Sequence, residues 1–192
     1  MGRRNVLRAI GVTFAGGVAG CSQRRTGSKQ AFETASPALE SGGTLPVRFT
    51  CDGRGLSPPL RIERVPDPIE TIAVTAKFVG GPFNNPLFWT LWNVPPETDL
   101  IPAGLPRTTT VESLDGAQQA TRPGGTVGYA PPCPPEGQEN EHWFQVHALD
   151  ERLSVEAGAT HETASDAIQS ATVASNRITV RYTRPHTDCC QS

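Results

Sequence analysis

The sequence is poor in charge and in aromatic residues, and it lacks a long hydrophobic run. Charged residues make up 19% of the 192 residues, and aromatic residues make up 6%. The formal net charge is −2 and no basic stripe crosses the chain, so nucleic acid is not a predicted partner. The apolar N-terminal stretch, 9–20, is shorter than the roughly 20 residues that a membrane-spanning helix needs.

Common enzyme and metal signatures are missing as well. No order of Ser, His and Asp forms a catalytic triad, and no Gly-X-Ser-X-Gly turn occurs, so we predict no enzymatic activity and no cofactor. His142 and His147 lie five residues apart on one predicted strand. This spacing places them on opposite faces and argues against a shared metal site.

The N-terminus has the pattern of an export signal. Three arginines within the first eight residues precede the weakly apolar stretch 9–20, which ends just before Cys21. The pair Arg3-Arg4 resembles the twin-arginine motif, and VAGC at 18–21 resembles a lipobox, in which the cysteine is lipidated. We predict a signal peptide over 1–20 and a lipid anchor at Cys21 on the outer face of the cytoplasmic membrane. The alternative is an ordinary signal with a chance cysteine.

Export changes the charge and the setting of the cysteines. Removal of three arginines leaves 14 basic residues against 19 acidic ones, so the mature chain is mildly acidic. Cys51, Cys133, Cys189 and Cys190 remain in an oxidising environment, where disulfides persist. Four cysteines allow three pairings, and the sequence alone does not choose among them.

After the signal, the chain divides into a tether, one mostly β domain and a short tail. We predict a flexible polar tether over 21–37, a domain over 38–188 and a tail over 189–192. A first strand is expected around 44–51. The further expected strands are rich in branched and aromatic residues and bounded by Pro, Gly or Asn: 60–66, 71–79, 88–95, 142–150 and 177–184. Alanines at helical spacing after Thr163, a candidate N-cap, predict one helix over 162–175.

The order of five motifs resembles the phosphatidylethanolamine-binding protein family, in its bacterial and archaeal Raf-kinase-inhibitor-like branch. The motifs are FTCDGRGLSPPL (49–60), TIAVTAKFVGGP (71–82), FWTLWNVP (88–95), GYAPPCPP (128–135) and WFQVHALD (143–150). The resemblance implies a sandwich of two antiparallel or mixed β-sheets, with a peripheral helix and a small pocket at one end. Members bind anionic groups such as phosphate or phospholipid headgroups, and some inhibit kinases or serine proteases.

The resemblance also assigns candidate ligand-binding residues. The positions of the family pocket hold Phe78, Gly80, Phe88, Trp89, Pro131, Pro132, Asn140, Glu141 and His142. The family's two aspartates are absent from these positions, Phe88 and Asn140 stand in place of histidines, and Glu141 replaces an arginine and adds a negative charge. A phosphate site needs donors and positive charge, so we predict that the anion pocket is degenerate.

Three interpretations follow from these substitutions. The pocket could bind a neutral or apolar small ligand, or Phe78 and Phe88 could fill it as ordinary core. The third is a protein-interaction module or protease or kinase inhibitor that uses the pocket rim and the long polar segment 97–125. Because the family places the proline loop beside the CDG turn, a disulfide between Cys51 and Cys133 is expected; two buried free thiols are the alternative.

The export signal makes a direct prediction. Changing both Arg3 and Arg4 to lysine should retain the protein inside the cell, because twin-arginine recognition reads both guanidinium groups. Cys21→Ser should release the mature protein from the membrane. Cell fractionation measures both; unchanged surface display of the first variant, or membrane retention of the second, would refute the assignment.

Overall fold

The computed structural model describes residues 31–80 and 86–186. The predicted signal peptide, the lipidation site Cys21 and the cysteines of the tail, Cys189 and Cys190, lie outside the described residues. Within them the chain forms nine strands and one α-helix, and that helix is too short to cross a membrane. The elements are β1 (Glu33–Ala35), β2 (Leu60–Arg64), β3 (Thr71–Val79), β4 (Leu87–Val94), β5 (Leu100–Ile101), β6 (Thr110–Val111), β7 (Ala117–Gln119), β8 (Glu139–Leu149), α1 (His161–Ala171) and β9 (Thr172–Thr183).

The strands form two antiparallel sheets. The smaller sheet has the order β1-β2-β5, and the larger has the order β6-β7-β4-β3-β8-β9. The expected mainly β architecture with two sheets and one C-terminal helix is therefore confirmed. The five strands predicted between 60 and 184 are all present, although β8 and β9 each begin earlier than expected.

The main core lies between the two sheets, and alternation along the central strands selects it. In β3, Val74 and Ala76 face the smaller sheet, and in β8 their register partners Val146 and Phe144 face the same way. All four side chains are fully buried. Because side chains alternate across a strand, the residues between them face the opposite side of the sheet.

Helix α1 covers that opposite face of the larger sheet. Its Ala164 and Ile168 pack in a second cluster that includes Trp92 of β4. The predicted N-cap was wrong: Thr160 is the cap, and its side chain accepts a hydrogen bond from the backbone N–H of Thr163 at 3.2 Å.

The end of the helix also differs from the prediction. It stops at residue 171 rather than 175, because Thr172 already pairs with Leu149 of β8 as the first residue of β9. The side chains of residues 172–175 are compatible with a helix or a strand. They form a strand because β9 pairs with β8 along its whole length.

Two further predictions, a first strand around 44–51 and an irregular loop over 97–125, were also wrong. The segment 44–51 contains a 3-10 turn, Val47–Phe49, instead of a strand, and the first strand is Glu33–Ala35, within the predicted tether. The segment 97–125 is not an irregular surface loop. It contributes β5 to one sheet and β6 and β7 to the other, and its Val111 is fully buried.

A disulfide between Cys51 and Cys133 confirms the expected pairing. Their Cα atoms lie 5.3 Å apart across a sequence separation of 82 residues. The backbone N–H of Cys51 also donates to the carbonyl of Pro132 at 3.1 Å. The proline loop is thus fixed to the turn after the 3-10 helix by one covalent bond and one hydrogen bond.

Removal of this disulfide should destabilise the domain. On the chain-entropy model, a loop of this length is worth roughly 4–5 kcal/mol, and native cross-links typically deliver about 2–5 kcal/mol. In urea denaturation, we expect the double variant Cys51→Ala with Cys133→Ala to have a free energy of unfolding lower by about 2–5 kcal/mol than that of the parent protein. Cys189→Ser with Cys190→Ser serves as the control and should lose none. Alkylation of Cys51 and Cys133 in the unreduced native protein would contradict the pairing.

Candidate ligand-binding site

A pocket of about 330 Å³ opens at one end of the sandwich, between the proline loop and the ends of β3, β4 and β8. The residues that line it are Phe78, Pro86, Leu87, Phe88, Arg122, Ala130, Pro131, Pro132, Cys133, Pro134, Pro135, Asn140 and His142. Among the described residues, Phe78 and Phe88 therefore line this space and do not fill it.

A β-bulge in β4 positions the aromatic floor. Ala76 pairs with Trp89 and Lys77 pairs with Leu87, so Phe88 has no partner of its own across the ladder. As a result, Phe88 and Trp89 both pack in the core between the sheets although they are consecutive. A bulge commonly redirects a side chain at a binding site in this way.

The proline loop forms a rigid wall. The backbone N–H of Ala130 donates to the carbonyl of Phe88 at 2.9 Å, and the hydroxyl of Tyr129 donates to the carbonyl of Phe49 at 2.7 Å. Proline fixes φ, and the disulfide at Cys133 holds the middle of the loop. A wall fixed before ligand arrives lowers the ordering cost of binding.

His142 is the most unusual side chain of the pocket. It is only 2% exposed, and its ring lies 5.9 Å from that of Phe78 and 5.7 Å from that of Phe88 between centroids. Neither ring nitrogen has a hydrogen-bond partner in the described part of the chain. Burial lowers the pKa of His142 to about 4, so the ring is neutral near pH 7 and offers one donor and one acceptor.

Arg122 is the charged residue among the seven lining residues that the nine predicted positions did not include. It follows β7, in a turn closed by hydrogen bonds from its own N–H to the Thr126 carbonyl at 2.8 Å and from the Gly125 N–H to its carbonyl at 2.9 Å. Within residues 31–80 and 86–186, its guanidinium forms no ion pair. None of the five family motifs includes this arginine. Only its position in a short turn after β7 could have indicated that it lines the pocket.

Six of the nine predicted pocket residues line the pocket: Phe78, Phe88, Pro131, Pro132, Asn140 and His142. Gly80 does not line it and follows the end of β3. Trp89 is fully buried below it, and its indole N–H donates to Oε1 of Gln119 at 3.0 Å.

Glu141 does not place a negative charge in the pocket, which corrects one step of the sequence argument. It accepts a hydrogen bond from the Trp143 indole at 2.7 Å and lies 3.9 Å from Arg181 on the other face of the sheet. The reason is alternation along β8, since Glu141 precedes the inward-facing His142 by one residue.

His142 and His147 lie on opposite faces of the larger sheet, as predicted. His142 lines the pocket, whereas His147 bonds to Thr75 and lies on the face that carries the helix. Among the described residues, no group of three or more His, Cys, Asp and Glu side chains is placed to hold a metal ion.

Comparison with known proteins identifies the fold and its family. The model of the phosphatidylethanolamine-binding protein family matches residues 35–183. The chain belongs to that family. A relative from Methanothermobacter thermautotrophicus, a UPF0098 protein, is 31% identical over 147 residues, which are 77% of this chain and 95% of the relative.

Two solved structures of this family share the architecture. CT736 of Chlamydia trachomatis, described as a homolog of the phosphatidylethanolamine-binding protein, is 26% identical with a TM-score of 0.67; the match covers 80% of this chain and 98% of CT736. YbcL of Escherichia coli, described as a new member of the mammalian family, has a TM-score of 0.72 at 24% identity, over 79% of this chain and 98% of YbcL. The likeness to YbcL concerns the fold alone.

The three buried histidines predict a loss of stability in acid. Burial lowers the pKa of His142, His147 and His161 to about 4 each, against about 6.5 in the unfolded chain. Between these values the unfolded state binds more protons, so stability falls as the pH decreases from 6.5 to 4. We expect urea denaturation to give a free energy of unfolding lower by at least about 2 kcal/mol at pH 4.5 than at pH 7.

Variants test which groups cause this dependence. His142→Phe should reduce the pH dependence, and the exposed His186→Gln should leave it unchanged. A pH dependence that is the same in His142→Phe as in the parent protein would show that this ring is not buried in its neutral form.

Proposed function

We propose that this member of the family is a non-enzymatic protein that binds a small, polar but uncharged ligand in the pocket behind the proline loop. The observation that carries the proposal is His142, which is 2% exposed and lines the pocket, with no hydrogen-bond partner for either ring nitrogen among the described residues. Buried polar groups in native proteins are nearly always hydrogen-bonded, and an unsatisfied one costs about 1–3 kcal/mol. A bound ligand that pairs with the ring recovers this free energy.

The protonation state of His142 favours an uncharged partner. A neutral imidazole presents one N–H and one lone pair, which match a hydroxyl or an amide that both donates and accepts. A phosphate group needs several donors, and Phe88 stands where the family has a further histidine. Arg122 is the single charged side chain among the lining residues, and it can donate to a carbonyl or hydroxyl oxygen of the same ligand.

The remaining walls select an apolar ligand body of metabolite size. Phe78, Phe88 and the prolines present ring faces and methylene groups, and the volume of about 330 Å³ is at the small end for ligand pockets. This open volume also favours a small ligand over a module that uses only the pocket rim against a protein partner.

The lining also supports a binding role rather than catalysis. Among its described residues there is no carboxylate, hydroxyl or lysine, and its cysteine, Cys133, is held in the disulfide. A nucleophile with an adjacent base, which covalent catalysis requires, is therefore not available in the lining.

We further propose that the pocket acts on the outer face of the cytoplasmic membrane, tethered through Cys21. This rests on the twin-arginine and lipobox motifs of the sequence. The disulfide supports it, because such bonds persist in exported proteins and are rare in the cytosol.

Substitution of His142 should separate binding from stability. Benzamide, which carries a flat apolar body and an amide, is a suitable probe, with phosphoethanolamine as the charged comparison. We expect millimolar or tighter benzamide binding in calorimetry, and weakening of about tenfold in His142→Phe, since the hydrogen bond to the ring is lost. The same variant should be at least as stable as the parent, because it removes two unsatisfied polar atoms.

The conservative variant His142→Gln serves as the matched control and should retain part of the binding. Phosphoethanolamine should bind no better than millimolar. Undiminished benzamide binding by His142→Phe would refute the role of His142. Micromolar binding of phosphoethanolamine would show instead that the site still serves anions, through Arg122.

A further inference from the structure

A second cavity, of about 300 Å³, lies on the opposite face of the larger sheet, beside helix α1. Side chains from β3, β4, β8 and α1 line it: Thr75, Lys77, Leu87, Gln145, His147, Ser165 and Gln169. This cavity and the first pocket lie on opposite faces of the sheet and share one lining residue, Leu87. The family assignment does not account for the second cavity.

Among its described lining residues, the cavity carries one positive charge and no negative one. Lys77 is the single charged lining residue, and within residues 31–80 and 86–186 its ammonium forms no ion pair. The ammonium lies 4.7 Å from the centroid of the Trp143 ring. Two causes lower the pKa of His147: burial is the larger, and the positive charge of Lys77 is the smaller. The ammonium and the imidazole therefore face the same space.

The hydrogen bonds at the back of the cavity have a defined direction. The Thr172 hydroxyl donates its hydrogen to the carbonyl of Ile168 at 2.6 Å, so at His147 Nδ1, 3.2 Å away, it can only accept. Nδ1 therefore carries the hydrogen, and Nε2 accepts from the Thr75 hydroxyl at 2.9 Å. The hydrogens of His147 and Thr75 are both used inside the protein, and these two residues form a fixed wall.

The donors that remain belong to the front of the cavity. Gln145 donates one amide hydrogen to Ser175 at 3.0 Å, and Gln169 donates one to Ser165 at 3.1 Å. Within the described part of the chain, each amide keeps a second hydrogen, and the ammonium of Lys77 keeps all of its own. The lining therefore offers more donors than it uses, around a single positive charge.

We propose that this cavity is a binding site for a small monocarboxylate that carries a further hydroxyl group. Its carboxylate lies against Lys77, and its remaining oxygens accept from Gln145 and Gln169. A charge-assisted hydrogen bond to an ammonium is about twice as strong as a neutral one. A single ammonium balances one negative charge, whereas a doubly charged phosphate would leave one charge uncompensated in a partly enclosed space.

The test is an NMR titration of the labelled mature domain with L-lactate, and with L-lactamide as its uncharged counterpart. We expect saturable shifts of the Gln145 and Gln169 side-chain amides at millimolar lactate, and binding of lactamide at least about tenfold weaker, because the charged hydrogen bond is lost. Lys77→Met, which keeps the aliphatic stem, should weaken lactate binding by a similar factor. Gln169→Leu, at an exposed helix position, gives a second variant that leaves the core intact.

Arg177→Met is the matched control. The Arg177 guanidinium lies 3.8 Å from the centroid of the same Trp143 ring but does not line the cavity, so lactate binding should be unchanged. His142→Phe should also leave it unchanged, which separates this site from the first pocket. Four results would each overturn the proposal: no saturable lactate shift, equal binding of lactamide, undiminished binding by both Lys77→Met and Gln169→Leu, or tighter binding of inorganic phosphate than of lactate.

Discussion

The register between β3 and β8 is the constraint on which both cavities depend. The two strands pair residue by residue along the whole of β3, so that Phe78 lies beside His142 and Lys77 beside Trp143. A slip of one residue would exchange the faces of every side chain on one strand. It would move the imidazole to the helix side of the sheet. Burial of the alternating apolar residues between the sheets prevents this slip and thereby sets the chemistry of each cavity.

The two faces of one sheet thus present opposite chemistries. On the inner face, aromatic rings surround a neutral imidazole that has no partner within the described part of the chain, and the proposed ligand is uncharged for that reason. On the outer face, His147 is equally buried but fully hydrogen-bonded, and Lys77 supplies a charge. The difference between the two histidines is one of partners rather than burial. The proposed ligand would supply the partner that His142 lacks, whereas His147 already has both of its partners in the protein.

Much of the fold could be predicted because its long strands are runs of branched and aromatic residues bounded by Pro, Gly or Asn. The end of α1 could not, since the residues from Thr172 onward suit either structure and only the pairing with β8 decides. Family motifs gave the positions of pocket residues but not their directions. The direction of Glu141 could have been predicted from the sequence, however. Glu141 and His142 are neighbours on one strand, so their side chains must face opposite sides of the sheet. Arg122 comes from a segment that no motif covers, and only the packed structure brings it to the pocket.

The junction between α1 and β9 has a consequence for motion. No loop separates Ala171 from Thr172, and the Thr172 hydroxyl joins the last turn of the helix to His147 of β8. A helix connected through a flexible linker can detach from its sheet in a local opening, while the sheet persists. Here no linker follows the C-terminal end of the helix, because β9 begins at the next residue. The helix would have to pull the first residues of β9 away from β8, so the helix and the sheet edge open together as one cooperative unit.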